Sequence, residues 1–407
     1  MIGYVRRVPW MDAARTLLVA LGLAAALIAP SSAGAARGLE IALQDDHVFV
    51  QQYWQGRDVA LERAHELGVT RLRVMVRWAS VAQKPASRRE LRTYDWSAFD
   101  SLIDDAAAYG IRLQMVLTGP APAWATADRR VGVRTPSAAA YGRFVRDAVR
   151  HFRGRVDRYS IWNEPNWHTQ LEPAAGCRKR KWKPRCDALL GTLYRQLYVA
   201  GYRAAKAADP AAQVLFGELA PRASGTPRAP TAFSSAPLTL LRAVTCSAPT
   251  WKAARRCAPL KADGFAIHPY AFTTPPGKVV GIADDVTLAS LGRLTRALDK
   301  LSKRRALRTR NGRPMQLYLT EYGYLQPPDR GLPETTRARY LTQSFDRALE
   351  HPRVRQLLQY LLVGPPPAQN LFRSQLIDYD GTLTPSFHAL ARWTARHAGS
   401  VQRPRRP

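Results

Sequence analysis

Two acidic residues in this chain stand beside residue types that hold a carboxylate in place. Glu164 lies in the stretch YSIWNEPNW (159–167), directly after Asn163 and before Pro165. Proline disfavours the right-handed helical conformation for the residue that precedes it, so we expect Glu164 in an extended or turn conformation. Glu321 lies in YLTEY, again after an apolar run. Two carboxyl groups held close together can protonate and attack one bond between them.

Cleavage of a glycosidic bond is a reaction that uses such a pair. One carboxyl group protonates the leaving oxygen, and the other places negative charge beside an oxocarbenium-like centre. When the groups are about 5 Å apart the second one attacks directly and configuration is retained, whereas a wider gap admits a water molecule. Either glutamate taken alone is better explained as part of a rim salt bridge, but the two together favour catalysis.

The elements that position these glutamates alternate along the chain between short apolar runs and helical patterns. Eight βα units of this kind predict a (β/α)8 barrel. A doubly wound sheet is less compatible, because no glycine-rich phosphate turn follows the first strand. Glu164 and Glu321 then lie at the ends of strands four and seven, on opposite sides of the C-terminal mouth. The predicted strands are 39–43, 70–76, 111–117, 157–162, 213–219, 264–270, 316–324 and 355–363, and the predicted helices are 59–68, 96–110, 137–154, 189–208, 288–302, 335–350 and 386–398.

Further polar residues are predicted at the same mouth. Arg73, within RLRVMV on strand two, can reach the barrel centre, where its charge would lower the pKa of a neighbouring nucleophile. Tyr270 ends strand six, and its hydroxyl can hydrogen-bond Glu321. His268 on that strand is either a site residue or a structural histidine. Glu218 ends strand five and is either a substrate contact or half of a rim ion pair.

Three tryptophans follow neighbouring strands. Trp78, Trp124 and Trp167 come after strands two, three and four. Sugar rings stack on aromatic faces, so each is a candidate platform for a substrate. Each is also compatible with a purely structural role, covering one end of the barrel.

The first 36 residues have the pattern of an export signal. Arg6, Arg7 and Arg15 accompany an apolar run of 13 residues from Leu17 to Ala29, and an A-G-A cleavage site follows at 33–35. Thirteen residues are short for a hydrocarbon core of about 30 Å, so we expect cleavage rather than retention as an anchor. No later segment has the length of a membrane span, and the mature chain is expected to be secreted or associated with the cell envelope.

Four cysteines form two local pairs. Cys177 and Cys186 are nine positions apart, and Cys246 and Cys257 are eleven apart. An even number in an exported chain favours disulfides, and the close CxxC spacing of a zinc site does not occur. We predict two disulfides in loop insertions after strands four and five. Loops that follow strands open at the C-terminal mouth.

Composition bounds the possible partners. The chain has 407 residues, 46% of them hydrophobic, and a formal net charge of +30. Residues 37–400 are expected to form the barrel domain, and the basic tail 401–407 is expected to be disordered. The charge predicts attraction to an anionic cell-envelope polymer, or else only a basic solvated surface. The sequence lacks nucleic-acid-binding patterns, metal-ligand clusters and phosphate loops, so neither nucleic acid nor a cofactor is expected.

The chain resembles the glycoside hydrolases of clan A, which are retaining (β/α)8 enzymes. The nearest patterns are those of family 5 cellulase-type and family 39 xylosidase- or iduronidase-type members. The matching pieces lie between residues 71 and 390 and are LRVMVRW, GPAPAWA, WNEPNW, GFAIHPY, LTEYGY and LIDYDGTLTPSFHAL.

The resemblance implies roles for individual residues. Glu164 is the implied acid/base and Glu321 the implied nucleophile, and Asn163 is implied to hydrogen-bond the sugar 2-hydroxyl. The strand-two arginine and the strand-six pair of the family 5 enzymes match Arg73, His268 and Tyr270. Family 5 often has a tryptophan at the end of strand eight, where LLVGPPP (361–367) stands here.

The predicted function is therefore a secreted retaining glycosidase that acts on a β-linked oligo- or polysaccharide. A transglycosylase would use the same mechanism with a sugar in place of water. The alternative from another class is a non-catalytic carbohydrate-binding barrel attached to an anionic envelope polymer, which the net charge and the RKRKWKPR segment (178–185) favour.

Overall fold

The computed structural model describes residues 38–83, 93–173, 177, 184–223, 235–247, 250–251, 257–327, 331–366 and 372–404. The predicted signal segment and residues 178–183 of the basic segment lie outside this part of the chain. Within it, no helix has both the length and the apolar character that crossing a membrane requires.

Eight parallel strands close into a barrel, in which each strand pairs with its neighbours in sequence and the last pairs with the first. The predicted (β/α)8 barrel is confirmed. Strands six and seven end earlier than predicted, because the polar residues that follow them turn into the loops of the mouth. Strand eight ends at Tyr360, before the apolar residues 361–363 that the prediction included. The strands are β1 Glu40–Gln44, β2 Arg71–Arg77, β3 Arg112–Thr118, β4 Arg158–Ile161, β5 Gln213–Leu219, β6 Gly264–Ile267, β7 Leu317–Leu319 and β8 Val354–Tyr360.

A helix follows each strand. The helices are α1 Arg57–Glu66, α2 Ser97–Ala108, α3 Ala138–His151, α4 Pro184–Ala208, α5 Pro237–Val244, α6 Leu291–Lys303, α7 Glu334–Glu350 and α8 Pro385–Arg396. Ser137 caps α3 as predicted, its hydroxyl accepting a hydrogen bond from Ala140 N at 3.3 Å. The short helix α5 was not predicted.

Smaller elements complete the described fold. Short helices cover Asp46–Phe49 and Trp78–Val81, and 3₁₀ turns cover Ala123–Ala125 and Leu288–Ser290. Two short strands, Leu260–Lys261 and Leu307–Arg308, pair with each other outside the barrel.

The large apolar core lies between the barrel and its helices, whereas much of the barrel interior is polar. Side chains alternate along a strand, so one face of β1 supplies Ile41 and Leu43 to the apolar core. Its other face presents Glu40, which meets Arg71 of β2 at 3.3 Å and Arg158 of β4 from across the ring. The barrel is therefore built around buried ion pairs that the branched apolar layers of many barrels lack.

A bulge in β5 turns one of these polar residues inward. The pairing with β6 passes from Gly217–Ala266 to Leu219–Ile267 and leaves Glu218 unpaired between them. The φ angles are +116° at Gly217 and +50° at Glu218. A Cβ atom at position 217 would overlap the carbonyl oxygen of Ala266. Glycine is thus required at 217, both for its backbone angle and for the space.

Replacing Gly217 by alanine tests this bulge against a matched control. Gly312 has φ +71° but open space around its Cβ position, so Gly312→Ala should cost about 1 kcal/mol through its backbone angle alone. Gly217→Ala should lower the free energy of unfolding by at least about 3 kcal/mol, because the overlap adds to the backbone strain. Urea denaturation measures both variants, and equal losses would contradict this account of the bulge.

Both predicted disulfides are present. Cys177–Cys186 closes the loop between β4 and α4, and Cys246–Cys257 closes a second loop. The expectation that both loops open at the mouth is correct for the first and wrong for the second. Since α5 runs back along the barrel before Cys246, the second disulfide lies between α5 and β6, at the N-terminal end of the barrel.

The tail that was expected to be disordered is partly ordered. Val401 is buried and pairs with Leu39, and Gln402 N donates a hydrogen bond to the carbonyl of Leu39 at 3.0 Å. An apolar valine at the start of the tail accounts for this contact, because it packs below β1. Residues 405–407 lie outside the described part of the chain.

Candidate active site

The end of β4 holds Glu164 in a fixed turn. Its φ angle is +40°, so the turn conformation expected from Pro165 is correct and the extended one is wrong. Its backbone N–H donates to the carbonyl of Glu218 at 2.9 Å, which ties the end of β4 to the bulge of β5. Left-handed backbone costs about 1–3 kcal/mol at a non-glycine residue, and such strain concentrates at functional sites. The Glu164 side chain remains 14% exposed.

Glu164 and Glu321 meet across the mouth. A carboxylate oxygen of each, together with a ring nitrogen of His268, lies within 4.8 Å of the other two. Glu321 directly follows Thr320 at the end of β7, and its side chain is 11% exposed. The two carboxyl groups are therefore close enough to act on one bond, and both have some contact with the outside of the barrel.

Arg73 is the cation beneath this pair. Its side chain is fully buried and donates to Glu321 at 2.7 Å and to Glu218 at 2.9 Å. The guanidinium also donates to the side-chain oxygen of Asn163 at 2.6 Å and to Gln44 of β1. Burial favours loss of its proton, but the charges of Glu218 and Glu321 outweigh this and raise the pKa of Arg73. Arg73 therefore carries a permanent positive charge at the centre of the barrel.

His268 lies between three carboxyl groups. Its Nδ1 is 2.8 Å from Glu164 and 3.5 Å from Glu321, and its Nε2 is 2.8 Å from Glu218. Burial alone would lower the pKa of His268, but the charge of Glu321 and the hydrogen bonds to Glu164 and Glu218 raise it to about 9. A raised pKa favours the imidazolium form at neutral pH, so we expect His268 to be a second cation of the site.

Glu218 is neither a substrate contact nor a rim residue, the two positions predicted for it. It is completely buried, below the two mouth glutamates. Burial would raise its pKa, but the charge of Arg73 and the contacts with His268 and Ser160 lower the pKa to about 2. Thr320 also donates to it at 2.7 Å. Glu218 is therefore an internal anion that neutralises the buried cations, and the sequence prediction placed it too close to the surface.

Tyr270 contacts the carboxylate oxygen of Glu321 that Arg73 leaves free. Its hydroxyl donates to the Oε2 atom of Glu321 at 3.3 Å. Burial and the charge of Glu321 raise the pKa of Tyr270, so the hydroxyl remains a donor. Burial also raises the pKa of Glu321, against the opposing charges of His268 and Arg73. Glu321 thus depends on these donors to keep its negative charge.

The site cluster consists of Glu164, Glu218, Glu321, Arg73 and His268. It has no net charge when one of its carboxyl groups is protonated. Its three carboxyl groups face two cations, so one protonated carboxyl leaves it neutral. Glu164, His268 and Glu321 are also residue types that bind metals. However, both nitrogens of His268 are already hydrogen-bonded to carboxylates, and Arg73 occupies one oxygen of Glu321. The contacts therefore favour proton transfer over metal binding.

The three candidate tryptophans have different environments. Trp78 is completely buried and stacks on Phe144 at 5.4 Å between ring centroids, so it offers no face to a sugar and is a core residue. Trp124 is partly buried and meets the edge of Trp78 at 5.5 Å. Trp167 is partly exposed beyond Glu164. Trp124 and Trp167 therefore remain candidates for sugar contacts, and Trp78 does not.

A cluster of aromatic residues around Tyr270 was not predicted from the sequence. Phe272 and Phe372 flank Tyr270 at 5.5 and 5.4 Å between ring centroids, and Phe372 lies 5.7 Å from Tyr360. Tyr360 ends β8 and directly precedes LLVGPPP, so an aromatic residue does stand at the end of this strand. The prediction carried the strand past its true end and overlooked Tyr360. All but Tyr270 are partly exposed. Phe372 and Tyr360 offer faces to a ligand, whereas Phe272 is stacked on Tyr270 and has the guanidinium of Arg222 4.8 Å from its ring centroid.

Three further polar residues of the site were also missed. Gln44 and Ser160 contact Arg73 and Glu218 from inside the barrel. Asn166 is fully buried and joins the loops after β4 and β5 through hydrogen bonds of 2.8–3.0 Å with Ala220. Polar residues at alternate positions of otherwise apolar strands were the available signal for the first two. A residue that bridges two loops leaves no comparable pattern.

The charge on His268 makes the stability of the protein depend on pH. The folded-state pKa of about 9 exceeds the ordinary value of 6.5, so the stabilisation is complete below pH 6.5 and is lost as the pH rises through 9. The difference in unfolding free energy between the wild type and His268→Gln should therefore shrink steadily over that interval. Chemical denaturation at pH 6, 7.5 and 9.5 measures it, and a constant difference would show that His268 is uncharged.

Fold and site together define a (β/α)8 barrel protein with a close carboxyl pair after strands four and seven. Neither a protein-family model nor a curated protein sequence matches the chain. Solved structures do match. A family 39 glycoside hydrolase from the gut symbiont Bacteroides cellulosilyticus WH2 has a TM-score of 0.61 at 16% identity, over 88% of this chain and 64% of that one.

Two other matches are similar in quality. A monomeric β-xylosidase from Caulobacter crescentus CB15 has a TM-score of 0.57 at 20% identity, over 88% of this chain and 68% of that one. GH5_18 from Streptomyces cattleya, solved with GlcNAc, has a TM-score of 0.57 at 18% identity, over 91% and 83%. At these identities the likeness shows the shared barrel fold. The chain spans about two thirds of the length of the family 39 hydrolase and the xylosidase.

Proposed function

We propose that the protein is a retaining glycosidase that hydrolyses a β-linked glycan by double displacement. The observation that carries the proposal is the approach of Glu164 and Glu321, since one carboxylate oxygen of each lies within 4.8 Å of one oxygen of the other. That separation suits direct attack by a carboxylate and leaves no room for the water molecule of an inverting mechanism. The similar structures include a β-xylosidase and an exo-β-1,4-mannosidase, which supports a β-linked substrate.

In the first step Glu321 attacks the anomeric carbon. The bond to the leaving oxygen breaks, and Glu164 transfers its proton to that oxygen, so a glycosyl ester forms on Glu321. In the second step Glu164, now a carboxylate, takes a proton from water. The resulting nucleophile attacks the anomeric carbon from the opposite face and releases Glu321 as a carboxylate.

The neighbouring residues support these steps. Arg73 and Tyr270 hydrogen-bond different oxygens of Glu321, which fixes its orientation for attack. Arg73 also holds the side-chain oxygen of Asn163, which leaves the Asn163 amide N–H groups for a substrate hydroxyl. The partly exposed rings of Phe372 and Tyr360 provide apolar faces for the sugar.

A binding barrel without catalysis explains this site poorly. Three carboxyl groups in contact with two buried cations cost several kcal/mol of desolvation, and holding a sugar does not require them. We further propose that the enzyme acts outside the cytoplasm. The apolar run near the N-terminus and the two disulfides support this location, because disulfides persist in oxidising compartments.

Removing the nucleophile should abolish turnover and permit rescue. Glu321→Ala should reduce kcat on an aryl β-glycoside at least about 10⁴-fold, since no covalent intermediate can form. Azide should restore activity by entering the vacated space and should give a glycosyl azide of inverted configuration, which NMR of the product identifies. Unchanged activity without azide would disprove the role of Glu321.

Azide rescue of a variant that lacks the acid/base should give a product whose configuration is opposite to that obtained with Glu321→Ala. Glu164→Ala should lower kcat about 10²–10⁴-fold for poor leaving groups, with little effect on the first step for dinitrophenyl glycosides. Azide should then yield a product of retained configuration, because it replaces water in the second step. Glu172→Gln is the matched control, since this rim carboxylate pairs with Arg134 at 3.2 Å and is outside the cluster. Its activity should equal that of the wild type.

A further inference from the structure

His268 is placed to serve both mouth glutamates with one N–H group. Its Nδ1 lies 2.8 Å from an oxygen of Glu164 and 3.5 Å from an oxygen of Glu321. Its Nε2 is occupied by Glu218 at 2.8 Å. A neutral imidazole donates from one nitrogen only, so a ring that donates to Glu218 through Nε2 and to whichever mouth glutamate is ionised through Nδ1 must be doubly protonated.

The backbone at Glu218 is strained, and this conformation places its side chain inside the barrel. Its backbone has a left-handed φ of +50°, within a bulge that requires glycine at the preceding position. The side chain reaches Arg73, His268 and Thr320 at 2.7–2.9 Å and is wholly shielded from solvent. Strain of about 1–3 kcal/mol at one residue persists only where the surrounding structure compensates for it.

We propose that Glu218 is a positioning residue that holds His268 as an imidazolium, whose Nδ1–H moves its hydrogen bond between Glu321 and Glu164 during catalysis. The inference rests on the proposed double displacement. Glu218 is suited to this role because it takes no part in bond changes and keeps its negative charge throughout the cycle.

Negative charge moves between Glu321 and Glu164 in the two steps, and the hydrogen bond from His268 Nδ1–H follows it. Before attack, Glu321 is the anion and Glu164 holds a proton. After attack, Glu321 is a neutral ester and Glu164 is the anion. The cluster with Arg73 and Glu218 is neutral in both states, so the charge passes from one carboxyl to the other with His268 between them. A donor that follows the charge stabilises each state without a change in its own protonation.

The surroundings of His268 assign this function to Glu218 in particular. The charged or titratable groups that face the ring are Glu164 of the β4 loop, Glu218 of β5, Glu321 after β7 and Arg73 of β2, whose Nη2 is 3.4 Å from Nε2. Tyr270 lies two residues further along the same loop. Arg73 opposes protonation of the ring, and the two mouth glutamates change charge in each cycle. Glu218 is the constant anion among them.

NMR of the histidine rings tests the inference without reference to activity. The full chain contains eight histidines, so ¹⁵N-histidine labelling gives a spectrum in which His268→Gln identifies the resonance of His268. In the wild type both ring nitrogens should be protonated at pH 7.5, with titration near pH 9. In Glu218→Gln the midpoint should fall by about 1–3 pH units. A neutral ring in the wild type at pH 7.5, or an unchanged midpoint in the variant, would overturn the proposal.

The pH dependence of turnover tests the same point in the working enzyme. From pH 6 to pH 8.5, kcat/KM of Glu218→Gln should fall at least about 10-fold more than kcat/KM of the wild type. The reason is that His268 loses its proton within this range in the variant. Glu218→Asp keeps the charge and should retain most of the wild-type profile. An identical profile in Glu218→Gln would contradict the proposal. If azide fails to rescue Glu321→Ala while the NMR result holds, the glycosidase assignment fails, and the stabilisation of protonated His268 by the charge of Glu218 stands.

Discussion

The guanidinium of Arg73 is the contact on which the site depends. It links β2 to Glu218 of β5 and Glu321 after β7, and through Asn163 to the loop of Glu164. Carboxyl groups packed this closely repel one another and lose their hydration, so they coexist only with buried cations of matching geometry. Arg73 provides the permanent charge, and His268 provides a second one that the carboxylates themselves maintain. Loss of either cation would leave an unpaired buried anion.

This requirement also shapes the barrel. The interior contains Glu40, Arg71 and Arg158 near its lower end and the cluster of Arg73, His268 and three glutamates above them, so ion pairs replace much of the apolar filling. Such pairs contribute less to stability than apolar packing of the same volume, and they are costly to break. The large apolar core between strands and helices therefore carries most of the stability. The strained turns at Glu164 and Glu218 place carboxyl groups where regular strands would not.

The sequence allowed the barrel and the two mouth glutamates to be predicted, because alternating strand and helix patterns and two short motifs define them. It failed where position depends on exact strand ends and on partners remote in sequence. Tyr360 was overlooked because β8 was extended too far, and Trp78 was assigned to the site although it packs against Phe144. Glu218 was recognised, but its depth follows from a one-residue bulge that no periodicity reveals.

The most direct test of the central idea is covalent trapping at the proposed nucleophile. Incubation with aryl 2-deoxy-2-fluoro-β-glycosides of several sugars, followed by peptide mass spectrometry, would show where a slowly hydrolysed glycosyl group remains attached. We expect time-dependent inactivation with one sugar bound to the side chain of Glu321. Hydrolysis of the parent glycosides without any adduct on Glu321, or with the sugar attached to Glu164, would contradict it.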